Sequence, residues 1–275
     1  MVVQTKNKMS SAYSALSTDL QDTKPQSIKI QQFDPNCIPI DATILAIGKR
    51  RVGKSTLVID IMHHMRKRLD LVMGMNPTEE ASGVLGHFTP PAFIYNDFSL
   101  QSLTDLLALQ KGMVIESKRL GMQKYCNIAF IMDDCMDDVR VMKSSAMRRL
   151  YMMGRHHKVL TINCVQYLMD MPTALRAVDF VFAFRESIRA NREKLYQYFF
   201  GMFKNFNDFD EVFRECTAGR ECIVMNNQIR ASDPSKCISF YQARHPIPPF
   251  KAGKKIFWKL SKKIYDAKQG SFDIA

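Results

Sequence analysis

No apolar run in this chain of 275 residues approaches the roughly 18–20 residues needed to cross a bilayer. The longest, such as Phe180-Val181-Phe182-Ala183-Phe184, have the length of buried strands. The opening Met-Val-Val-Gln-Thr-Lys lacks the apolar core of a secretion signal. There are seven cysteines, with no Cys-x-x-Cys pair and no Cys/His spacing suited to zinc. Cys126, Cys135 and Cys164 flank or sit in apolar segments, as small buried hydrophobes of a reducing compartment do. These absences point to a soluble intracellular protein. Also missing after the acidic strand described below is an Asn/Thr-Lys-x-Asp run, which argues against a GTPase.

What is present is an ordinary core fraction and an excess of positive charge. Hydrophobic residues make up 46% of the chain and the net charge is +12. The first suits a globular domain and the second favours polyanionic partners. Residues 1–36 are polar and aperiodic and read as a flexible N-terminal arm. From 37 to 245 short apolar runs alternate with longer mixed segments, the pattern of an α/β domain with a mainly parallel sheet flanked by helices. Strands are expected at 43–47, 71–75, 92–95, 128–132, 159–165 and 180–184. Helices are expected at 55–68, 100–122 and 139–153. Residues 191–217 look helical and 222–225 could add a strand. Pro246-Ile247-Pro248-Pro249 breaks regular structure and opens a basic tail, 246–275. From residue 250 onward this tail carries seven lysines against Asp266 and Asp273.

The first strand runs into Gly48-Lys49-Arg50-Arg51-Val52-Gly53-Lys54-Ser55-Thr56, a Walker A phosphate loop between strand and helix. Its glycines let successive N–H groups turn inward as an anion nest, and the helix N-terminus adds its dipole. Lys54 is expected on the β- and γ-phosphates of ATP and the Ser55 hydroxyl on Mg²⁺. Lys49, Arg50 and Arg51 either add phosphate contacts, face a neighbouring subunit or are solvated. The fourth strand ends in Asp133-Asp134, a Walker B element. Asp133 is expected to hold Mg²⁺ and Asp134 to act as general base on the attacking water. An ordinary strand exit could also carry two carboxylates, and many ATPases place Glu at the second position. The next strand ends at Gln166. In the P-loop class that inserts a strand between the loop strand and the acidic strand, Gln166 would sense the γ-phosphate. Arg155, with Arg176 second, is the candidate for an arginine reaching a neighbour's γ-phosphate. Such arginines are also common as surface ion-pair partners.

Taken in order, several elements align: the loop at 48–56, Asn76-Pro77-Thr78-Glu79, Asp133-Asp134-Cys135, Gly154-Arg155-His156, Gln166-Tyr167, Pro172, Leu175-Arg176, Asp179 and Val181-Phe182-Ala183-Phe184-Arg185-Glu186. Over residues 40–190 this set resembles the genome-packaging ATPases of the nucleocytoplasmic large DNA viruses, within the FtsK–HerA group. The resemblance implies an ATPase of the additional-strand P-loop class that pumps double-stranded DNA into a capsid as a homo-oligomeric ring. It places Lys54, Ser55, Asp133, Asp134, Gln166 and Arg155 on the family's motif positions. It further implies a location in the host cytoplasm or the virion, with capsid or inner-membrane proteins as partners. Arg51-Val52 departs from the smaller residues commoner in that loop. A small-molecule kinase or a nucleotide-switched virion scaffold is the alternative.

Overall fold

The computed structural model describes residues 30–270, apart from residues 123, 125, 136–138, 167, 169, 170 and 232, and only the backbone of residues 139 and 265–270. Most of the expected arm, residues 1–29, and Tyr167 lie outside the described residues.

A nine-stranded sheet organises the described chain. Across it run β1 (Gln31–Gln32), β9 (Ile238–Tyr241), β8 (Cys222–Asn226), β7 (Phe180–Ala183), β2 (Thr43–Ile47), β6 (Val159–Val165), β5 (Ile128–Asp133), β3 (Leu71–Met75) and β4 (Ile94–Tyr95). Strands β7, β2, β6, β5, β3 and β4 are mutually parallel, whereas β8 runs antiparallel to both β7 and β9. The central strands are buried at every position, and mostly apolar, because both faces of the sheet are covered. On one face Ile44, Ala46, Ala129, Ile131, Leu160 and Ile162 pack against Leu57, Val58 and Ile61 of α1 (Lys54–Met65). On the other, Leu45, Phe130 and Val181 meet Leu103, Met147, Leu195 and Phe209. Those four come from α3 (Leu100–Arg119), α5 (Ser145–Met153), α6 (Arg189–Phe199) and α7 (Phe206–Cys216). Short α2 (Glu79–Ser82), α4 (Val139–Met142) and α8 (Pro234–Cys237) complete the connections. No described helix is long and apolar enough to cross a membrane.

Several boundaries differ from the sequence expectation. The helix expected over 139–153 is two, because Ser144 caps α5 by accepting from Met147 N at 3.2 Å. The helical stretch 191–217 is likewise broken before Asn205, which caps α7 through Asp208 N at 2.9 Å. Only Ile94–Tyr95 of the 92–95 segment is strand, since a 3₁₀ turn at Pro91–Phe93 precedes it. Residues 30–36, expected within the arm, are ordered against the sheet: β1 pairs with β9, and Ile30 and Phe33 are buried. The segment expected as a basic tail contains α9 (Lys255–Gly270), whose Ser261 Oγ accepts from Ala92 N at 2.9 Å.

Candidate functional site

Because β2, β5, β6 and β7 are parallel and in register, their C-terminal ends form one rim. Ile47 aligns with Val165 and Ala183, and Asp133 with Cys164. Gly48, Asp134, Gln166 and Phe184 are the residues that step off this rim. Gly48 N donates to Val165 O at 3.1 Å, and Phe184 N to Ile47 O at 2.8 Å. A Cβ on Gly48 would come within 2.7 Å of Val52 Cγ2 and 2.8 Å of Phe184 Cβ, so the close approach requires glycine. Gly53 adopts φ +112° as the residue before α1, a conformation that L side chains rarely enter. The loop from Gly48 to Gly53 therefore turns into α1 with the helix N-terminus pointing at the rim, the geometry of an anion cradle.

Lys54 is buried, and its Nζ donates to Gly48 O at 2.5 Å and Lys49 O at 3.0 Å. Its ammonium thus lies within the loop it opens. Ser55 and Thr56 follow half-buried in the first turn of α1, beside a half-buried Val52. Lys49 is held sideways: its Nζ lies 2.9 Å from Glu186 Oε1 and donates to Ser187 Oγ at 3.1 Å. Burial alone would raise the Glu186 pKa, but hydrogen bonds from Ile188 N–H, Lys49 and Asn191 lower it overall. Arg50 and Arg51 are exposed, and Arg51 has φ +66°.

The two acids have different surroundings. Asp133 ends β5 buried, and its pKa is pushed up to about 6 by burial and then by the neighbouring charge of Asp134, with Lys54 opposing. A hydrogen bond from the buried Cys164 thiol also steadies its charged form. Asp134 turns off the strand at φ +57°, with its N–H on Cys164 O at 3.3 Å. That left-handed step swings its side chain toward β6, where Gln166 Nε2 donates to Asp134 Oδ2 at 2.7 Å. The side chain expected at the γ-phosphate thus meets the expected base directly. A hydroxyl at Ser55 and a carboxylate at Asp133 are hard oxygen donors of the kind Mg²⁺ takes. Among the described residues no group of three His, Cys, Asp or Glu side chains could hold a metal alone.

Arg155 is not brought to this rim. It is exposed in the 3₁₀ turn Gly154–His157, which leads into the N-terminal end of β6. Gln166 follows the other end of that seven-residue strand, roughly 23 Å away at ~3.3 Å per residue. Arg176 is also engaged elsewhere, donating to Met171 O at 3.0 Å and lying 3.6 Å over the Tyr198 ring.

Three neighbours of the site had no role in the sequence reading. Glu79 is buried, accepts from Asn76 Nδ2, Leu85 N and Gly86 N, and contributes to the raised pKa of Asp133. Its signal was the Asn76-Pro77-Thr78-Glu79 run, which follows a strand now seen to lie beside β5. Glu186 stood in the Val181–Glu186 run with no role assigned and Cys164 read as a buried hydrophobe, because each acquires its partner only when strands align.

Comparison with known proteins finds viral relatives in sequence and a viral NTPase among the similar folds. No protein-family model matches the chain. It is 30% identical over 214 residues to uncharacterized protein 088R of invertebrate iridescent virus 3, covering 77% of this chain and 78% of that one. It is 29% identical over 248 residues to uncharacterized protein L437 of Acanthamoeba polyphaga mimivirus, covering 88% and 86%. Among solved structures, the genome-packaging NTPase B204 of Sulfolobus turreted icosahedral virus 2, in complex with sulfate, superposes with a TM-score of 0.52. The identity is 13%, over 76% of this chain and 100% of that one. The same protein in complex with AMPPCP gives a TM-score of 0.50 at 15% identity, over 75% and 100%. The chain belongs to a family of proteins carried by the nucleocytoplasmic large DNA viruses, with members in iridescent viruses and mimivirus and with the fold of a viral genome-packaging NTPase.

Proposed function

We propose that this protein is an ATP-hydrolysing motor that translocates viral double-stranded DNA into a capsid as a homo-oligomeric ring. The observation that carries the reading is the Gln166–Asp134 hydrogen bond of 2.7 Å, at the end of a strand set between the loop strand and the acidic strand. That pairing joins a phosphate-sensing group to a general base, which a passive nucleotide holder does not need. The fold relationship to a packaging NTPase crystallised with AMPPCP supports the same reading.

In this reading the loop N–H groups and the α1 N-terminus hold the phosphates of ATP. Lys54 moves its ammonium from Gly48 O and Lys49 O onto the β- and γ-oxygens. Ser55 and Asp133 would hold Mg²⁺, which would neutralise phosphate charge when bound. Asp134 takes the proton of the attacking water, and Gln166 orients that water against the γ-phosphate. The bond from the γ-phosphorus to the ADP oxygen breaks as the new one to water oxygen forms.

Steady-state ATP hydrolysis with and without duplex DNA tests the proposal. Turnover should rise with DNA and vanish in Lys54→Ala. Hydrolysis indifferent to DNA would favour a nucleotide-switched scaffold, and phosphoryl transfer to a small acceptor would favour a kinase. Turnover that survives Lys54→Ala would remove the site assignment itself.

A further inference from the structure

Helix α9 and the segment before it enclose a second site, at the far end of the sheet from the phosphate loop. The segment is stitched to the domain by backbone hydrogen bonds from Phe250 N to His87 O (3.1 Å), Ala252 N to Phe88 O (3.1 Å), Gly253 N to Arg66 O (3.2 Å) and Lys254 N to Asp70 O (2.8 Å). Gly253 takes φ +80°, and a Cβ there would lie 2.7 Å from Asp70 O, so only glycine allows this contact. Trp258 Nε1 donates to Ala252 O at 2.8 Å, and Phe257 packs on Phe93 with centroids 6.2 Å apart. The helix is therefore docked on the domain rather than trailing from it.

Docking opens a cleft of about 710 Å³ between α9, Pro91 and the preceding segment. Lys251, Lys255, Lys259 and Lys262 line it, with Trp258 in its wall, and among the described residues no acidic side chain lines it. Lys251 Nζ sits 5.2 Å above the Trp258 ring. Among the described residues none of these four lysines forms an ion pair with a carboxylate. Lys254 differs: its Nζ is 2.6 Å from Asp70 Oδ1, and that hydrogen bond raises its pKa. Like charges crowded with no counter-charge among the described residues call for an anionic ligand. Along the helix axis Lys255, Lys259 and Lys262 stand about 6 Å and then about 4.5 Å apart at ~1.5 Å per residue. At a rise of ~3.4 Å per phosphate of one strand, that row of roughly 10 Å matches about three steps along the backbone.

We propose that the lysine-lined cleft of α9 is the surface that grips the phosphate backbone of duplex DNA. The proposal rests on the reading of this chain as a DNA motor and names where that partner is held. The rigid docking keeps the entropic cost of binding low, and lysine contacts to phosphate are independent of sequence. The Gly253–Arg66 contact also ties the cleft to the end of α1, whose other end carries Lys54. The helix joins the two sites over about 18 Å for its 12 residues.

The test is a salt titration of duplex binding by the full chain and by the triple variant Lys255→Gln, Lys259→Gln, Lys262→Gln. The slope of log affinity against log salt should become shallower by ~0.9 per lysine, ~2.7 for three, equally for all duplex sequences. The corresponding triple Arg variant should keep the wild-type slope, which separates lost charge from lost folding. An unchanged slope in the Gln variant, with wild-type hydrolysis still stimulated by DNA, would overturn this surface and leave the motor intact. A wild-type chain that neither binds duplex nor responds to it would overturn the motor reading. Ile256 and Leu260 are 66% and 44% exposed on the same helix, so phosphatidylserine vesicles form the control arm. Loss of vesicle binding in the Gln variant with duplex binding untouched would overturn the proposal in favour of a lipid surface.

Discussion

At the scale of single residues, the site depends on how three polar side chains divide a small volume. Asp133 is buried with a raised pKa, whereas Asp134 is half-exposed and held by Gln166. Gln166 hydrogen-bonds to Asp134, the proposed base, so its loss should affect chemistry more than nucleotide affinity. We expect Gln166→Ala to bind ATP within a few-fold of wild type while kcat falls ~10–100-fold, the worth of one hydrogen bond to a charged group. Pre-steady-state binding and turnover measured on the same preparation separate the two. A large loss of affinity with kcat unchanged would assign Gln166 to the binding step. Glycine matters at only two points of the loop: Gly48, where two side chains leave no room for a Cβ, and Gly53, where φ is positive.

At the scale of elements, α6 and α7 form a hairpin locked by one buried charge cluster. Asp210 accepts from Arg192 Nε inside the hairpin and from Arg214 at its edge, and Arg192 also reaches Glu186 O and Ser187 O. Glu186 is the residue that holds Lys49, so the hairpin reaches the phosphate loop through two links. Asp210→Ala should lower stability by ~3–5 kcal/mol, because it leaves Arg192 buried and unpaired. Burial by itself would raise the Asp210 pKa, but hydrogen bonds and charge from Arg192 and Arg214 lower it overall. Its stabilising contribution is therefore complete above the ordinary carboxylate range and is lost as pH falls through the lowered value. Urea melts of wild type and Asp210→Ala should differ most at neutral pH and converge in acid. A gap that stays constant with pH would show that the cluster does not titrate with folding.

At the scale of the whole molecule, Arg155 and the phosphate loop lie at opposite ends of one chain's sheet. Within a single chain Arg155 cannot serve the site, so any catalytic role requires a second copy. If neighbouring subunits bring Arg155 to each other's nucleotide, Arg155→Ala should cost ~10³-fold or more in turnover. Mixing Arg155→Ala with Asp134→Asn subunits should then recover part of the activity, because some interfaces pair an intact arginine with an intact base. Mixed rings that form but stay inactive at every ratio would make Arg155 a structural residue. The net charge of +12 opposes self-association at low ionic strength, so the mixing is best done at moderate salt.

The central sheet could be read from residues alone because its strands are buried on both faces and so are nearly continuous apolar runs. The strand–loop–helix turn at 48–56 was equally legible, since its tight backbone demands glycine at Gly48 and Gly53. Local pattern also put Asp133 and Asp134 at a strand end, whereas the place of β6 between β2 and β5 was an expectation of the P-loop class. The elements it missed are those whose identity comes from a partner. Gln31–Gln32 is strand only because β9 lies beside it, and a polar dipeptide has no strand signature of its own. Residues 255–270 read as a charged tail because the face that anchors them is short and includes a serine, Ser261, rather than an apolar stripe. The Gln166–Asp134 bond, the Lys49–Glu186 pair, the Glu79 carboxylate near Asp133 and the removal of Arg155 to the far edge were decided by tertiary structure. They join residues between 32 and 137 positions apart, or separate residues 11 apart by the full length of a strand. Distance along the chain says nothing about such pairs until parallel strands set the register.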